Sequence, residues 1–296
     1  MHFSRTLRRA ATAVAAATAV AAPLVSAAPA QAQMPEPITS SENTASLLNR
    51  QGCKSHYLVA VPGGANTVSG VPTFLPHGGQ VFSTGLLAQG GTAGEIQPLW
   101  VSYNSAAFVT RSYPDASAEA YGKTWGTVAK LARTCPNATF SLAGYSLGAD
   151  VAARLTRDIA HGAGPIAPEK VDAVALIANP YQGSGGAQLA PGTSPDSRGA
   201  LGELEGGFGA LAGKVLEICR PDDIVCSTPE RFRQLVGPAL RANASRGQVP
   251  PELGLALAAM GADSVNLLAA MGAHGGYGQE APRMASEWIV SHTPAR

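Results

Sequence analysis

The 296-residue chain lacks a cluster of basic residues, a second long apolar run and any C-x₂-C pair. Without a basic cluster, nucleic acid is not expected as a partner. No apolar run beyond the first 32 residues is long enough to span a bilayer, which argues against a multi-span membrane protein. Without C-x₂-C spacing and nearby histidines, the cysteines do not indicate a zinc site. There is also no internal repeat and no visible domain boundary.

The first 32 residues have the pattern of a secretory signal peptide. Three arginines precede an alanine-rich apolar run that ends in Ala30-Gln31-Ala32. We predict cleavage after Ala32; the alternative, an uncleaved anchor, is disfavoured by Pro23 and by the alanine content. Cleavage leaves 296 − 32 = 264 residues with a net charge of (21 − 3) − 20 = −2. We expect an exported protein with a polar N-terminal arm, 33–52, and a single α/β domain, 53–296.

All four cysteines lie after the leader: Cys53, Cys135, Cys219 and Cys226. An even number in an oxidising compartment indicates two disulfides, for which three connectivities exist. The short separation of Cys219 and Cys226 favours a bond between them, which leaves Cys53 to pair with Cys135.

Apolar runs alternate with helical patterns along the domain. Strands are predicted at 56–61, 96–103, 139–145, 171–178 and 214–219. Helices are predicted at 117–133, 147–160, 229–243, 252–271 and 281–292, with a shorter helical segment at 80–87. The glycine- and proline-rich segment 181–211 is expected to be irregular. This alternation predicts a three-layer α/β/α fold with a mostly parallel five-stranded sheet.

The sequence Gly144-Tyr145-Ser146-Leu147-Gly148 follows a predicted strand and opens a predicted helix. Strand, glycine-flanked turn and helix form the context in which G-x-S-x-G is a nucleophile elbow. The glycines allow a sharp turn, and the helix N-terminus favours an oxyanion. We predict Ser146 as a nucleophile, although a serine in an ordinary glycine-rich turn is the alternative unless a histidine and an acid accompany it.

In hydrolases with this elbow the chain order is serine, acid, histidine. Three histidines come too early for that order: His56, His77 and His161. His292 lies near the end of the closing helix, where a solvated or packed histidine is expected. His274 lies in a glycine-rich loop, 272–278, that could carry an imidazole over the carboxyl edge of the sheet. We therefore predict His274 as the general base.

The acid should lie on a loop that leaves a strand between Ser146 and His274. Asp222 and Asp223 follow the fifth strand inside a loop that Cys219 and Cys226 would close. Such a covalent ring would hold a carboxylate firmly enough to orient the histidine. Two other candidates are weaker: Asp172 starts a strand, at the wrong end of the sheet, and Asp196 lies in the irregular segment.

Three motifs in order resemble the cutinase family of serine esterases: the G-x-S-x-G elbow, the C-x-x-x-D-x-x-C loop 219–226, and His274-x-x-Tyr277. The resemblance covers most of the chain from Cys53 onward. Within the family, the segments 61–63, 162–166 and 206–211 are similar to those of secreted cutinase-like lipases from mycolate-bearing actinobacteria.

The resemblance implies that Asp223, not Asp222, is the acid, and it supports the Cys53–Cys135 pair. It also implies an oxyanion hole made by the backbone N–H groups of Leu147 and Gly64. Fungal cutinases have a serine where this chain has Gly64, so no hydroxyl would assist here. The chain also has 274 − 226 = 48 positions between Cys226 and His274, more than the compact fungal enzymes.

The resemblance implies a secreted esterase or lipase that acts on lipid or polyester substrates by way of an acyl-enzyme, without metal or cofactor. Its apolar segment 250–271 is either core packing or a lid for an acyl chain. We expect a monomer that contacts a membrane or envelope surface transiently. Two other functions are compatible with the motifs: an envelope acyltransferase with the same triad, and a non-catalytic envelope-binding protein.

Overall fold

A computed structural model of the chain describes residues 47–48, 50–107, 111–241, 269 and 272–294. The predicted signal peptide 1–32, most of the N-terminal arm and nearly all of segment 250–271 lie outside these residues. At the end of the arm, Leu47 is buried in the core. No helix among the described residues is long and apolar enough to cross a bilayer.

In the described part of the chain, six parallel strands form one sheet. They are β1 (His56–Val61), β2 (Ile96–Trp100), β3 (Thr139–Tyr145), β4 (Val171–Ile177), β5 (Gln188–Leu189) and β6 (Val215–Ile218). Their spatial order is β2-β1-β3-β4-β6-β5, so β3 lies inside the sheet between β1 and β4. Because all neighbours are parallel, the carboxyl ends of the strands meet at one edge.

Helices cover both faces of this sheet. They are α1 (Gln80–Gly91), α2 (Tyr113–Thr134), α3 (Leu147–Ala160), α4 (Glu230–Arg241) and α5 (Glu280–His292). Two short 3₁₀ helices, Pro168–Lys170 and Gly209–Lys214, precede β4 and β6.

Alternate residues of a strand pack into two different cores. Val59 of β1 packs in one core with residues of α2 and α3 such as Leu131 and Leu155. Its neighbour Leu58 packs in a second core with Val81 of α1 and Ile289 of α5. Successive side chains of a strand point to opposite faces, so the central strands need apolar residues at every position. The predicted α/β/α layering is confirmed.

The predicted strand count of five was wrong, because β5 adds a sixth strand within the segment predicted to be irregular. β5 consists of two exposed residues only, so neither an apolar run nor an alternating pattern marks it. The predicted helix 117–133 begins earlier, at Tyr113, because the Ser112 side chain accepts a hydrogen bond from the Asp115 N–H and caps it.

Two disulfides brace the sheet, with the pairing that the sequence favours. Cys53–Cys135 joins the chain before β1 to the end of α2, across 82 positions. Cys219–Cys226 closes a loop of 7 positions directly after β6. The second bond therefore lies at the carboxyl edge of the sheet.

Candidate active site

Ser146 lies at the carboxyl end of β3, on the tight turn into α3. Its backbone has φ 55° and ψ −120°, a region that L-residues rarely occupy, and its N–H donates to the Ile177 carbonyl at 2.9 Å. The two flanking glycines are required by space. A Cβ at Gly148 would lie 2.0 Å from the Val61 oxygen, and one at Gly144 would lie 2.3 Å from the Gly148 oxygen. The elbow is thus packed directly against β1.

The turn after β1 packs against the same elbow. A Cβ at Gly63 would lie 2.8 Å from the Tyr145 ring, so this turn touches the residue that precedes Ser146. The turn is held by two further hydrogen bonds, from Tyr103 Oη to the Pro62 oxygen (2.6 Å) and from the Ala65 N–H to the Ser105 oxygen (2.7 Å). Gly64, one of the two predicted oxyanion donors, lies in this turn. Leu147, the other, is the first residue of α3.

His274 bridges Ser146 and Asp223, two residues that lie on different loops. Its Nε2 is 2.8 Å from Ser146 Oγ, and its Nδ1 is 3.0 Å and 2.9 Å from the two oxygens of Asp223. A carboxylate can only accept, so Nδ1 carries the proton, and Nε2 is left to accept the serine hydroxyl. His274 keeps 21% of its side chain exposed, whereas Asp223 is fully buried.

Asp223 and Asp222 have opposite environments although they are adjacent. The Val225 N–H donates to Asp223 Oδ1 at 2.8 Å, and the Tyr277 hydroxyl donates to Oδ2 at 2.7 Å. Asp222 points outward and pairs with the exposed Arg220 at 2.7 Å. Hydrogen bonds from that guanidinium hold the pKa of Asp222 below its usual range. The structure therefore brings Asp223, and not Asp222, to the histidine.

Two tyrosines contact these groups, and sequence reasoning assigned neither a role. The Tyr145 ring stacks on the imidazole of His274 with centroids 5.3 Å apart, and its hydroxyl donates to the His274 carbonyl at 2.7 Å. Burial, followed by the charge of Asp223, raises the pKa of Tyr145 to about 12. Its position directly before the serine, and that of Tyr277 three residues after the histidine, are the signals that could have identified them.

The rejected residues lie elsewhere. His56 contacts Asp172 at 3.2 Å, at the amino ends of β1 and β4, the opposite edge of the sheet. Three other histidines bind backbone carbonyls: His77 that of Leu75, His161 that of Gly206, and His292 that of Trp288. No group of three or more His, Cys, Asp or Glu side chains among the described residues could hold a metal ion.

Comparisons with known proteins agree with this geometry. A family model described as Cutinase matches residues 55–235. A curated relative, the carboxylesterase Culp6 homolog of Corynebacterium glutamicum, is 27% identical over an alignment that covers 73% of this chain and 78% of the relative.

Two solved structures share the fold. The catalytic core domain of acetyl xylan esterase from Trichoderma reesei has a TM-score of 0.51 and 18% identity, over 81% of this chain and 100% of that one. Lysin B from mycobacteriophage D29 has a TM-score of 0.50 and 20% identity, over 73% of this chain and 91% of that one.

Proposed function

Because the chain belongs to the cutinase family and is a carboxylic ester hydrolase, we propose that Ser146, His274 and Asp223 form its catalytic triad. The observation that carries the proposal is the continuous hydrogen-bond chain from Ser146 Oγ through both nitrogens of His274 to Asp223. This is the arrangement that a serine needs in order to lose its proton as it attacks.

The reaction follows from the positions of these atoms. His274 Nε2 takes the proton of Ser146 Oγ as that oxygen bonds to the ester carbonyl carbon. The imidazolium then gives the proton to the departing alcohol, and the acyl group stays on Ser146. Water repeats the sequence, with His274 as base, and releases the acid. Asp223 stabilises the imidazolium throughout.

The oxyanion of each tetrahedral intermediate would be bound by the N–H groups of Leu147 and Gly64. Leu147 opens α3, whose N-terminal dipole favours negative charge. Gly64 belongs to the turn that packs on the elbow through Gly63. With glycine at this position, both donors are backbone groups, and they are fixed before the substrate arrives.

The substrate proposed is an ester with a lipid-like acyl part, met at a membrane or envelope surface by a secreted, monomeric enzyme. Residues 55–94 contain no Lys, Arg, Asp or Glu, and they include the oxyanion turn and α1. Phe82 and Leu86, one turn apart on α1, are exposed. The start of α1 contacts the oxyanion turn, since a Cβ at Gly78 would lie 2.5 Å from Pro62. Two disulfides are consistent with export to an oxidising compartment.

A panel of nitrophenyl esters from acetate to long acyl chains, together with a phospholipid, tests this proposal. Each buried methylene contributes about 0.8 kcal/mol, so we expect kcat/KM to persist or rise with acyl length. Ser146→Ala should lower it by about 10³-fold or more on every substrate. A sharp preference for acetate would contradict the lipid-like substrate. In the presence of an acceptor alcohol, a new ester in place of the free acid would identify an acyltransferase instead.

A further inference from the structure

The Tyr277 hydroxyl lies where the acid loop and the histidine loop meet. It is 2.7 Å from Asp223 Oδ2 and 3.2 Å from the N–H of Arg220, which belongs to the acid loop. The Arg220 N–H is a donor, so the tyrosine oxygen accepts from it, and the single hydroxyl proton is directed to the carboxylate. Tyr277 is buried. Its hydroxyl therefore exchanges little with solvent and is committed to these two partners.

This hydroxyl completes the set of donors that fix the plane of the Asp223 carboxylate. Val225 N–H holds Oδ1 and Tyr277 holds Oδ2, while His274 Nδ1 is nearly equidistant from the two oxygens. A carboxylate held at one oxygen alone can rotate about its Cβ–Cγ bond, and the imidazole would turn with it. Held at both, it presents one orientation to the histidine.

We propose that Tyr277 is a positioning residue that acts on His274 through the carboxylate of Asp223. The proposal rests on the triad proposed above and assigns to the tyrosine no contact with substrate. Tyr277 also belongs to the same loop as His274, so one side chain ties the base loop to the acid that orients it. The guanidinium of Arg220 adds a parallel link, from Nη1 to the Gly276 oxygen at 2.9 Å.

The hydroxyl remains a donor over the pH range in which an esterase works. Burial raises the pKa of Tyr277, and the neighbouring Asp223 charge raises it further. Tyr277 is thus a neutral hydrogen-bond donor to the carboxylate, which is the role that the geometry gives it.

The test replaces Tyr277 by Phe in the full chain and measures kcat and KM on a nitrophenyl ester. A hydrogen bond to a charged group is lost at the base but not in the substrate site. We therefore expect kcat to fall about tenfold while KM changes by less than about twofold. The same replacement in an Asp223→Asn background should change kcat by less than about twofold, because the carboxylate that it acts on is already gone.

Tyr121→Phe is the matched control, since it removes another tyrosine–carboxylate hydrogen bond, to Asp158 between α2 and α3. It should leave kcat unchanged. Equal losses from Tyr277→Phe in the wild-type and Asp223→Asn backgrounds would overturn the proposal, as would no loss in either. If wild-type activity does not depend on Ser146, the proposed triad fails instead. Melting temperatures of all variants identify any loss that is due to unfolding.

Discussion

Two adjacent aspartates carry opposite environments at the end of β6. Asp222 is exposed and paired with Arg220, whereas Asp223 is fully buried and receives three donors. An exposed ion pair contributes little, typically about 0–1 kcal/mol. A buried carboxylate that orients a base contributes to every turnover. At the scale of single residues, the account therefore separates these neighbours sharply.

Asp223→Asn should lower kcat by about 10²–10⁴-fold, because an amide in place of the carboxylate no longer holds His274 Nδ1 protonated. Asp222→Asn, the matched control, should retain kcat within about twofold. Steady-state kinetics on one ester measures both. A larger loss from Asp222→Asn would show that the acid has been assigned to the wrong residue.

Among the strands, β6 carries a buried carboxylate that the reaction does not use. Glu217 faces the loop after β4, where Asn179 Nδ2 donates to one oxygen at 2.8 Å and the Gly183 N–H to the other at 3.2 Å. Burial raises the pKa of Glu217 to about 7, although these donors oppose the rise. Protonation of one side chain is thus coupled to the packing of the segment between β4 and β6.

The raised pKa of Glu217 makes folding stability depend on pH. Between pH 4.5 and about 7 the unfolded chain releases this proton and the folded chain keeps it, so stability falls as pH rises through this window. The contribution is on the order of 3 kcal/mol for a shift of this size. Glu217→Gln should remove that fall. Urea unfolding from pH 5 to pH 8 measures it.

Glu203→Gln, at an exposed glutamate before β6, is the control and should keep the wild-type pH dependence. A difference between wild type and Glu217→Gln that stays constant over this pH range would contradict the assignment.

The elements that could be predicted from sequence are those buried on both sides. β1, β3 and β4 are near-continuous apolar runs, so their positions follow from the sequence alone. β5 could not be predicted, since its two residues are exposed and pair with β6 only through backbone hydrogen bonds. The start of α2 depended on a side-chain cap at Ser112, which shifts a boundary without changing the apolar pattern.

For the molecule as a whole, the site could be inferred because chain order and a small disulfide ring restrict the candidates. His274 was selected by elimination, and the loop 219–226 by its cysteines. The roles of Tyr145 and Tyr277 could not be inferred, because they depend on contacts across 129 and 54 positions of sequence. Motifs give the identity of reacting groups, whereas the groups that orient them become visible only when the loops are placed together.

The central claim is that Ser146 is a nucleophile activated by His274. Labelling with a fluorophosphonate probe, followed by mapping of the modified peptide, tests it most directly. We expect label on Ser146 in the wild-type protein, none on Ser146→Ala, and labelling slowed by about 10²-fold or more in His274→Ala. Ser291→Ala, an exposed serine on α5, should label like wild type. No label on the wild-type protein, or equal labelling of Ser146→Ala, would contradict the account.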